Sequence, residues 1–556
     1  MNIEFSDITT VVNLIGNILD SKISDEDKEK IEKIKKLSSH YKFFHYGIEF
    51  LDIQEGFDIV IGNPPWEKPK FDESEFFSKH IPGYKKLSIK EQNKIKQEIL
   101  SKDNHPLSIQ YYEEKNSLKI LNNMYRLGFR EFSSGGDPNL FRYFVTFNLK
   151  LIKEKGNLTY LVPSSLWSES SSRVLRKHIF INYRLNYIYQ FENKKRFKDV
   201  HSNFKFSIFQ LSNTKTPTSS FKAKFMIQNN DNILKEITKD LKDGKYDAYK
   251  GVELNINQIK KLSPIQESII EFKGNEEFNL INKIFSQFST LSEEYINFGG
   301  GLHLTKHKAL YKECNDENYI FLYCGANIHQ FNSRFFEDKA AKESSKLLWI
   351  SKEDLEKVLA KDNQYQTERV FFRKVSRNSN ERTMISTLSP RNCYCMNTIG
   401  VNYEKRPISI YKKLFVISVF NSLPFDFLLR RFVQAANVSK AYLYQCPMMQ
   451  PEENEILTNP LYLTLAKNTS LLIVKNDPDN FKYLLYLEYF EFSKEEIHKI
   501  LNLDPKDEFF KEKENENNFI VASLYSLTKE DFVTLLNDFK VIKNKKGEDY
   551  ISSLVK

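Results

Sequence analysis

The stretch FDIVIGNPPWEKPK, from Phe57 to Lys70, limits the architecture more than any other part of the chain. Phe57 to Ile61 is mostly apolar and β-branched, the composition of a strand covered on both faces. Gly62 and Asn63 then lead into two consecutive prolines. A proline has no N–H to give and holds φ at about −65°, so neither a sheet ladder nor a helix interior runs through Pro64 and Pro65. The strand must end there in a rigid corner, followed by the wide ring of Trp66. In doubly wound sheets the carboxyl ends of strands are where ligands sit.

The downstream pattern places this strand in an α/β unit. LFRYFVTFNLKLIKEKG reads as an amphipathic helix ended by Gly156. NLTYLVPSSLW reads as a strand and turn, SSSRVLRKHIFIN as a helix, and YRLNYIYQF and FKFSIFQLS as strands. Strand, helix, strand, helix, strand is the α/β alternation. With 556 residues, the chain is expected to hold several domains. Residues 1–45 read as a charged helical segment, with acids following Ser24 as in a capping box. Residues 46–215 form the α/β unit, with a polar, mostly helical insertion at 67–135. The Ser/Thr/Pro-rich SNTKTPTSS (Ser212 to Ser220) punctuates the chain. A connecting helical region is expected over 216–290. Short strands and turns with two helical segments, an α+β texture, fill 291–470. Residues 471–556 read as helical and charged.

The corner offers specific chemistry. Asn63 has a neutral side-chain carbonyl, and Pro64 has a backbone carbonyl with no N–H beside it. Two fixed acceptors next to an aromatic face suit a planar ring that carries an amino group with two hydrogens. Adenine is such a ring. Acceptors that take both N6 hydrogens favour a pyramidal nitrogen and free its lone pair, which is catalysis by positioning and preorganised electrostatics. A base in duplex DNA reaches such a pocket by flipping out. The plainer reading is that Asn-Pro-Pro ends a strand and the tryptophan is core.

The 82 Lys and Arg against 73 Asp and Glu give a net charge of +9, compatible with a nucleic-acid partner and equally with an ordinary soluble surface. The five cysteines (Cys314, Cys324, Cys393, Cys395 and Cys446) lack zinc-ribbon or CxxC spacing and read as free thiols of a reducing cytoplasm. No apolar run is long enough to span a bilayer, so no membrane is expected, and MNIEFSDITT lacks a leader pattern.

NPPW after FDIVIG resembles the (D/N/S)PP(Y/F/W) signature, motif IV, of the amino-methyltransferases. The order of the following segments resembles the γ-class adenine-N6 DNA methyltransferases. DPNLFRYF (Asp137 to Phe144) is similar to motif V, GNLTYLVPSSLW (Gly156 to Trp167) to motif VI, and FENKKRFKDVHSNFKFSIFQL to motifs VII and VIII. IEFLD resembles the acidic motif III. Further on, GGGLHLTKHKAL, YCGANIHQF, VFFRKVSRNSNERTMI and FNSLPFDFLLRR resemble the target-recognition region of Eco57I-like, type IIG restriction–modification proteins. The similarity spans about Tyr46 to Pro447. It implies a Rossmann-like methyltransferase portion, incomplete, then an α+β target-recognition domain and a helical C-terminal region. It implies double-stranded DNA as partner and S-adenosylmethionine as cofactor, with Glu49 on its adenosine and Asn63 also at the cofactor. Asn63, Pro64, Pro65 and Trp66 would be catalytic. Trp66 and a second ring, Phe204 or Phe209, would stack on the flipped adenine; either phenylalanine also reads as a core strand residue.

In the recognition half, Arg373, Lys374, Arg377 and Arg382 cluster with Asn378, Asn380 and Thr383. Arg and Asn are shaped for bidentate contacts to guanine and adenine, while Lys306, His307 and Lys308 suit phosphates. A solvated charged strand and loop is the plain alternative. His303 and His329 read as packing or hydrogen-bonding residues, and no spacing suggests a metal site.

The resemblance also sets a requirement. The family places motif I, a glycine-rich strand-to-helix turn, ahead of motif IV. The 62 residues before Asn63 read as helix. NFGGG (Asn297 to Gly301) is a superficial match that reads better as a loop of the recognition domain. No PD-(D/E)xK nuclease centre is visible, and PDNFKYLLYLEYFEFSK reads as an ordinary helix. The expectation is a methyltransferase needing a second protein chain that supplies motif I, and possibly a nuclease. The alternative is a non-catalytic, sequence-specific DNA-binding subunit or a truncated methylase remnant.

Overall fold

Six strands, β1 (Phe57–Gly62), β2 (Ile152–Pro163), β3 (Arg184–Glu192), β4 (Lys205–Ser212), β5 (Ser220–Ile227) and β6 (Val252–Asn255), form one mixed sheet in the computed structural model. Their order is β1-β2-β4-β3-β5-β6. The structure describes residues 24–554 apart from short stretches, the longer being 42–45, 133–138, 198–203, 229–234, 244–250, 338–346 and 360–363. Residues 1–23, Asp137, Cys314 and most of the segment similar to motif VII lie outside the described residues.

β1 and β2 are parallel, as are β3 and β5. β4 runs antiparallel between β2 and β3. The helix Leu140–Leu149 connects β1 to β2, and the helix Arg173–Asn182 connects β2 to β3. Both bury one face, through Phe141, Val145 and Leu149 and through Leu175, Ile179 and Phe180. The fold is the α/β, Rossmann-like arrangement the alternation predicts.

Two boundaries differ from the sequence reading. The first helix stops at Leu149, not Gly156, and β2 begins at Ile152. Pairing with β1 wins over the helical period there: Ile152 sits opposite Phe57 and Asn157 opposite Ile59, with the extra residues absorbed in a bulge. Residues 216–290 are not only helical. β5 and β6 extend the same sheet before the helices Ile256–Leu262 and Asn275–Phe285. SNTKTPTSS is therefore a turn inside the sheet.

The insertion forms three helices, Glu73–His80, Ile89–Leu100 and Pro106–Gly128. Asp72 caps the first, Ser88 and Glu91 form a capping box on the second, and Pro106 starts the third. Phe76, Phe77, Tyr84 and Tyr111 give the insertion a small core of its own.

Among the described residues, 297–403 hold two further four-stranded sheets. Behind them lie the helices Ile410–Asn421 and Leu423–Phe432, the second buried along its whole length. NFGG (Asn297–Gly300) is a strand of one of these sheets, paired with Ile399–Tyr403. Its glycines answer to close approach. A Cβ on Gly299 would lie 2.1 Å from the Tyr403 ring, and one on Gly301 2.0 Å from the Cys395 carbonyl. The segment is a strand of one of these sheets rather than a loop. The C-terminal region is helical from Pro460–Asn476 to Lys540–Ser553. One continuous core joins the sheet (Leu158, Phe209) through Phe278 and Ile284 to Phe415, Phe427 and Leu472. No described helix is long and apolar enough to cross a membrane. Cys324, Cys393, Cys395 and Cys446 are free thiols.

A buried charge cluster fastens the C-terminal helices. Arg431 pairs with Glu277 at 3.0 Å and with Asp538, which also receives Lys273 at 2.7 Å. Burial alone would raise the Asp538 carboxyl, but Arg431, Lys273 and Arg430 outweigh it and hold it well below the usual range. A carboxyl depressed in the folded state stabilises above its unfolded pKa of about 3.9, and that stability is lost as pH falls below it. Thermal melting followed by circular dichroism is expected to be level from about pH 7 to pH 5 and to drop below about pH 4. In Asp538→Asn this acid limb is shallower.

Candidate active site

β1, β2 and β3 all point their carboxyl ends to one edge of the sheet, and β4 starts there. Gly62 passes over the Tyr160 ring, where a Cβ would lie 2.9 Å from a ring carbon. Asn63 then emerges exposed, Pro64 is buried, Pro65 is exposed and Trp66 is half-buried. The structure brings these four residues to the strand end that the sequence predicts. Beyond the corner the loop is pinned twice. The Glu67 carbonyl accepts the Leu140 N–H at 3.1 Å, and the Pro69 carbonyl accepts the Asn122 amide at 2.7 Å. Two prolines and two pins fix the backbone that follows Asn63 before any ligand arrives.

Trp66 stands in an aromatic wall. Its ring meets Phe197 at 5.4 Å and Phe206 at 6.3 Å, and Phe206 stacks on Phe191 at 5.2 Å. Its Nε1 is buried and has no hydrogen-bond partner among the described residues. Sequence reasoning missed Phe197, Phe206 and Phe191. Strand alternation was the usable signal. Phe204 has the parity of Phe206, the ring that meets Trp66, and is exposed. Phe209 has the opposite parity and is fully buried with its ring edge-on to Trp167 at 5.1 Å. Phe209 is a core residue, which corrects its candidacy as a stacking ring; Phe204 alone of the pair faces outward.

Glu49 is not brought to the corner. It ends the short helix Tyr46–Glu49, whose Tyr46 ring packs on Phe57 at 6.1 Å, as does the neighbouring Phe50 at 5.5 Å. Phe57 opens β1, so Glu49 lies near the amino end, roughly 20 Å of strand from Asn63 at about 3.3 Å per residue. The described residues therefore do not offer Glu49 as an adenosine ligand at the carboxyl edge.

Behind the wall, the turn after β2 is held by Arg176. This guanidinium is fully buried and donates to four backbone carbonyls, those of Leu166, Glu169, Gln266 and Glu267. Trp167 Nε1 donates to Ser207 Oγ at 3.0 Å, and the Trp167 carbonyl accepts the Ile269 N–H.

The predicted recognition residues divide. Arg373 directs its guanidinium inward to the Gly325 and Ile328 carbonyls at 2.6 and 2.8 Å. Arg382 is buried and pairs with Asp426 at 3.0 Å. Thr383 is fully buried, its hydroxyl on the Arg377 carbonyl. These three serve the fold, which corrects their assignment to base contacts: the bonds just given go to carbonyls and a carboxylate of the chain itself. Lys374 is half-buried, and its backbone bridges Thr398 and Val438. Arg377, Asn380, Lys306 and Lys308 are exposed. His303 lies against Asn397 at 3.4 Å, and His329 packs on Phe335 at 4.8 Å, where burial pushes its imidazole down to about 4.

Residues 4–129 and 111–197 match the Eco57I restriction-modification methylase family. The match takes in β1, the corner, the insertion, β2 and β3; the residues after 197 lie outside it. No curated protein matches the chain. Among solved structures, the chain is similar to the type IIL restriction-modification enzyme MmeI in complex with DNA, at 10% identity and a TM-score of 0.43, covering 92% of this chain and 63% of that one. It is similar to the type IIG restriction endonuclease BpuSI at 11% identity and a TM-score of 0.27, covering 74% and 52%. A putative class I S-adenosylmethionine-dependent methyltransferase from Listeria monocytogenes matches at 14% identity and a TM-score of 0.20, covering 35% and 44%. The chain thus spans less than two thirds of each of these three proteins.

Proposed function

We propose that the chain is the base-capturing and target-recognising part of a DNA adenine-N6 methyltransferase of restriction–modification or phage-defence type, working in the cytoplasm. The observation that carries this reading is the corner itself: an exposed Asn63 at the end of a parallel strand, locked by a buried proline and set beside the half-buried Trp66. In this reading the Asn63 side-chain carbonyl and the Pro64 backbone carbonyl accept the two N6 hydrogens of an extruded adenine. Trp66 and Phe204 receive its faces. Arg377, Asn380, Lys306 and Lys374 are the candidates for contact with double-stranded DNA in this reading. S-adenosylmethionine supplies the methyl group. With Glu49 at the far end of β1, this chain is not assigned its adenosine site.

The sheet supports a second chain as the holder of that site. β1 pairs only with β2 among the described residues, which leave its other side without a strand. Ile59 and Ile61 are 68% and 77% exposed there, on the face shared with Asn157 and Thr159. Phe144 and Phe147 of the adjoining helix are also exposed. A parallel strand of this composition is ordinarily covered, and an unprotected apolar edge invites pairing. A partner adding strands to β1, with the glycine-rich turn on them, fits this edge. The chain alone is expected to self-associate in sedimentation velocity, and Ile59→Lys/Ile61→Lys to sediment as a monomer. A wild-type monomer at all concentrations would count against the partner.

The same open edge favours, as second reading, a DNA-binding specificity subunit without catalysis. The deciding experiment incubates DNA and S-adenosylmethionine with the purified chain, with and without proteins encoded beside it, and analyses the nucleosides by mass spectrometry. N6-methyladenine supports the first reading. Methylation of cytosine N4 would refute the adenine assignment, and binding without any product in every mixture would favour the second.

A further inference from the structure

At the edge of the sheet that carries the corner, a buried carboxylate joins two strands. Glu271, 1% exposed, accepts the Gln190 amide at 2.8 Å and is bonded by the Lys205 ammonium. Gln190 lies near the end of β3, and Lys205 opens β4. Lys205 sits between Phe204, the exposed ring proposed for the base, and Phe206, the ring against Trp66. By strand alternation its side chain leaves the sheet on the face opposite those rings. The ion pair thus fixes the start of β4 from behind the aromatic wall.

Glu271 also belongs to a segment that reaches the other half of the molecule. Ser263 and Ser268 both donate to Gln445 Oε1, at 2.9 and 3.1 Å, and all three side chains are buried. Gln445 lies within the 291–470 region, where the adjoining Cys446 carbonyl accepts the Leu291 N–H. Between these points, Ile269 is tied to Trp167 and Gln266 to Arg176. Buried polar contacts at Ser263 and Ser268 on one side and at Glu271 on the other, joined by the three residues of chain from Ser268 to Glu271, therefore link Gln445 to Lys205. Stability does not call for a buried ion pair here, because desolvation commonly cancels its attraction and apolar residues of similar size do as well.

We propose that Glu271, Lys205 and Gln190 are positioning residues that register the aromatic wall of the base pocket against the recognition half, with Gln445 as the far anchor. The assignment of a base pocket rests on the reading given above; the mechanical coupling does not. Its effect is on the placement of Trp66, through Phe206, rather than on the overall fold.

The test uses the full chain labelled with 5-fluorotryptophan, without DNA. The three tryptophans, Trp66, Trp167 and Trp349, give three fluorine resonances, assigned by single substitutions. In Glu271→Gln and Lys205→Met the Trp66 resonance is expected to move by at least its own linewidth, while Trp349 stays. Lys205→Arg is expected to keep the wild-type position. Gln445→Leu is expected to move Trp66 as well, and its shift should not add to that of Glu271→Gln in the double variant, the signature of a shared path. If the folded variants lose thermal stability but leave Trp66 unmoved, or if the two shifts simply add, the cluster is structural only and the proposal falls. Should Lys205→Met not fold, Glu271→Gln and Gln445→Leu decide. Because no DNA or cofactor is present, a negative result here is distinct from failure of the methyltransferase reading, which the nucleoside analysis tests.

Discussion

Asn63→Ala is expected to lower methyl transfer by about 10²–10³-fold, the usual loss on removing one preorganised polar group from a reacting centre. DNA affinity should stay within about twofold, because phosphate contacts to Lys and Arg supply most of it and Asn63 is neutral. The separation follows from the geometry. Asn63 is exposed at the strand end, with Pro64 and Pro65 fixing the backbone on its far side, so its removal leaves the corner standing. Asn63→Asp is informative beside it. Aspartate keeps an acceptor at the same place but adds a charge, so partial activity marks the carbonyl oxygen as the working atom. Equal loss of binding and transfer in Asn63→Ala would overturn the role. The measurement is tritiated methyl incorporation alongside fluorescence anisotropy on the same duplex.

The second large effect is on stability. Asp426 is fully buried and accepts the N–H groups of Thr383 and Met384, at 3.1 and 3.3 Å, while pairing with Arg382 and Arg430 at 3.0 and 3.3 Å. Asp426→Ala leaves two buried guanidinium groups without their carboxylate. The expected loss is about 3–5 kcal/mol, the cost of breaking a buried pair from one side. Arg430 retains the Asn380 and Glu381 carbonyls at 2.9 and 2.8 Å, which keeps the loss at the lower end of that range. Urea denaturation measures it. A change below about 1 kcal/mol would mean that water reaches both arginines. Asp426→Asn should lie between, since the amide still accepts from the backbone.

Much of the α/β portion was legible in the sequence because local and long-range signals agreed there. FDIVIG, YRLNYIYQF and FKFSIFQLS are β-branched or aromatic runs bounded by turns, and each is a strand of the sheet. Where the two conflicted, pairing decided. Residues 152–156 continue a helical period but sit opposite the start of β1, and they joined the strand. The Asn-Pro-Pro-Trp corner was readable because its geometry is covalent. Phe209 and Phe204 were not separable from sequence, since the face of β4 that meets Trp66 is set by how the loop folds back. Arg373, Arg382 and Thr383 misled for a related reason. A basic, Asn-rich stretch looks alike whether it meets DNA or the molecule's own carbonyls, and only the partners Gly325, Ile328 and Asp426, up to 48 positions away, tell the two apart. The line from Gln445 to Glu271 spans 174 positions and has no local signature.

Arg176 carries a consequence of its own. One side chain satisfies carbonyls on two segments about a hundred positions apart, the turn after β2 and the loop at residues 266–267. Neither segment can swing away without leaving the fully buried Arg176 guanidinium short of acceptors. The two therefore open together or not at all, as one unit of local unfolding. Motion near the corner is confined to what lies in front of this clasp, the Asn63 to Trp66 loop and the insertion that follows it, while the floor beneath stays closed.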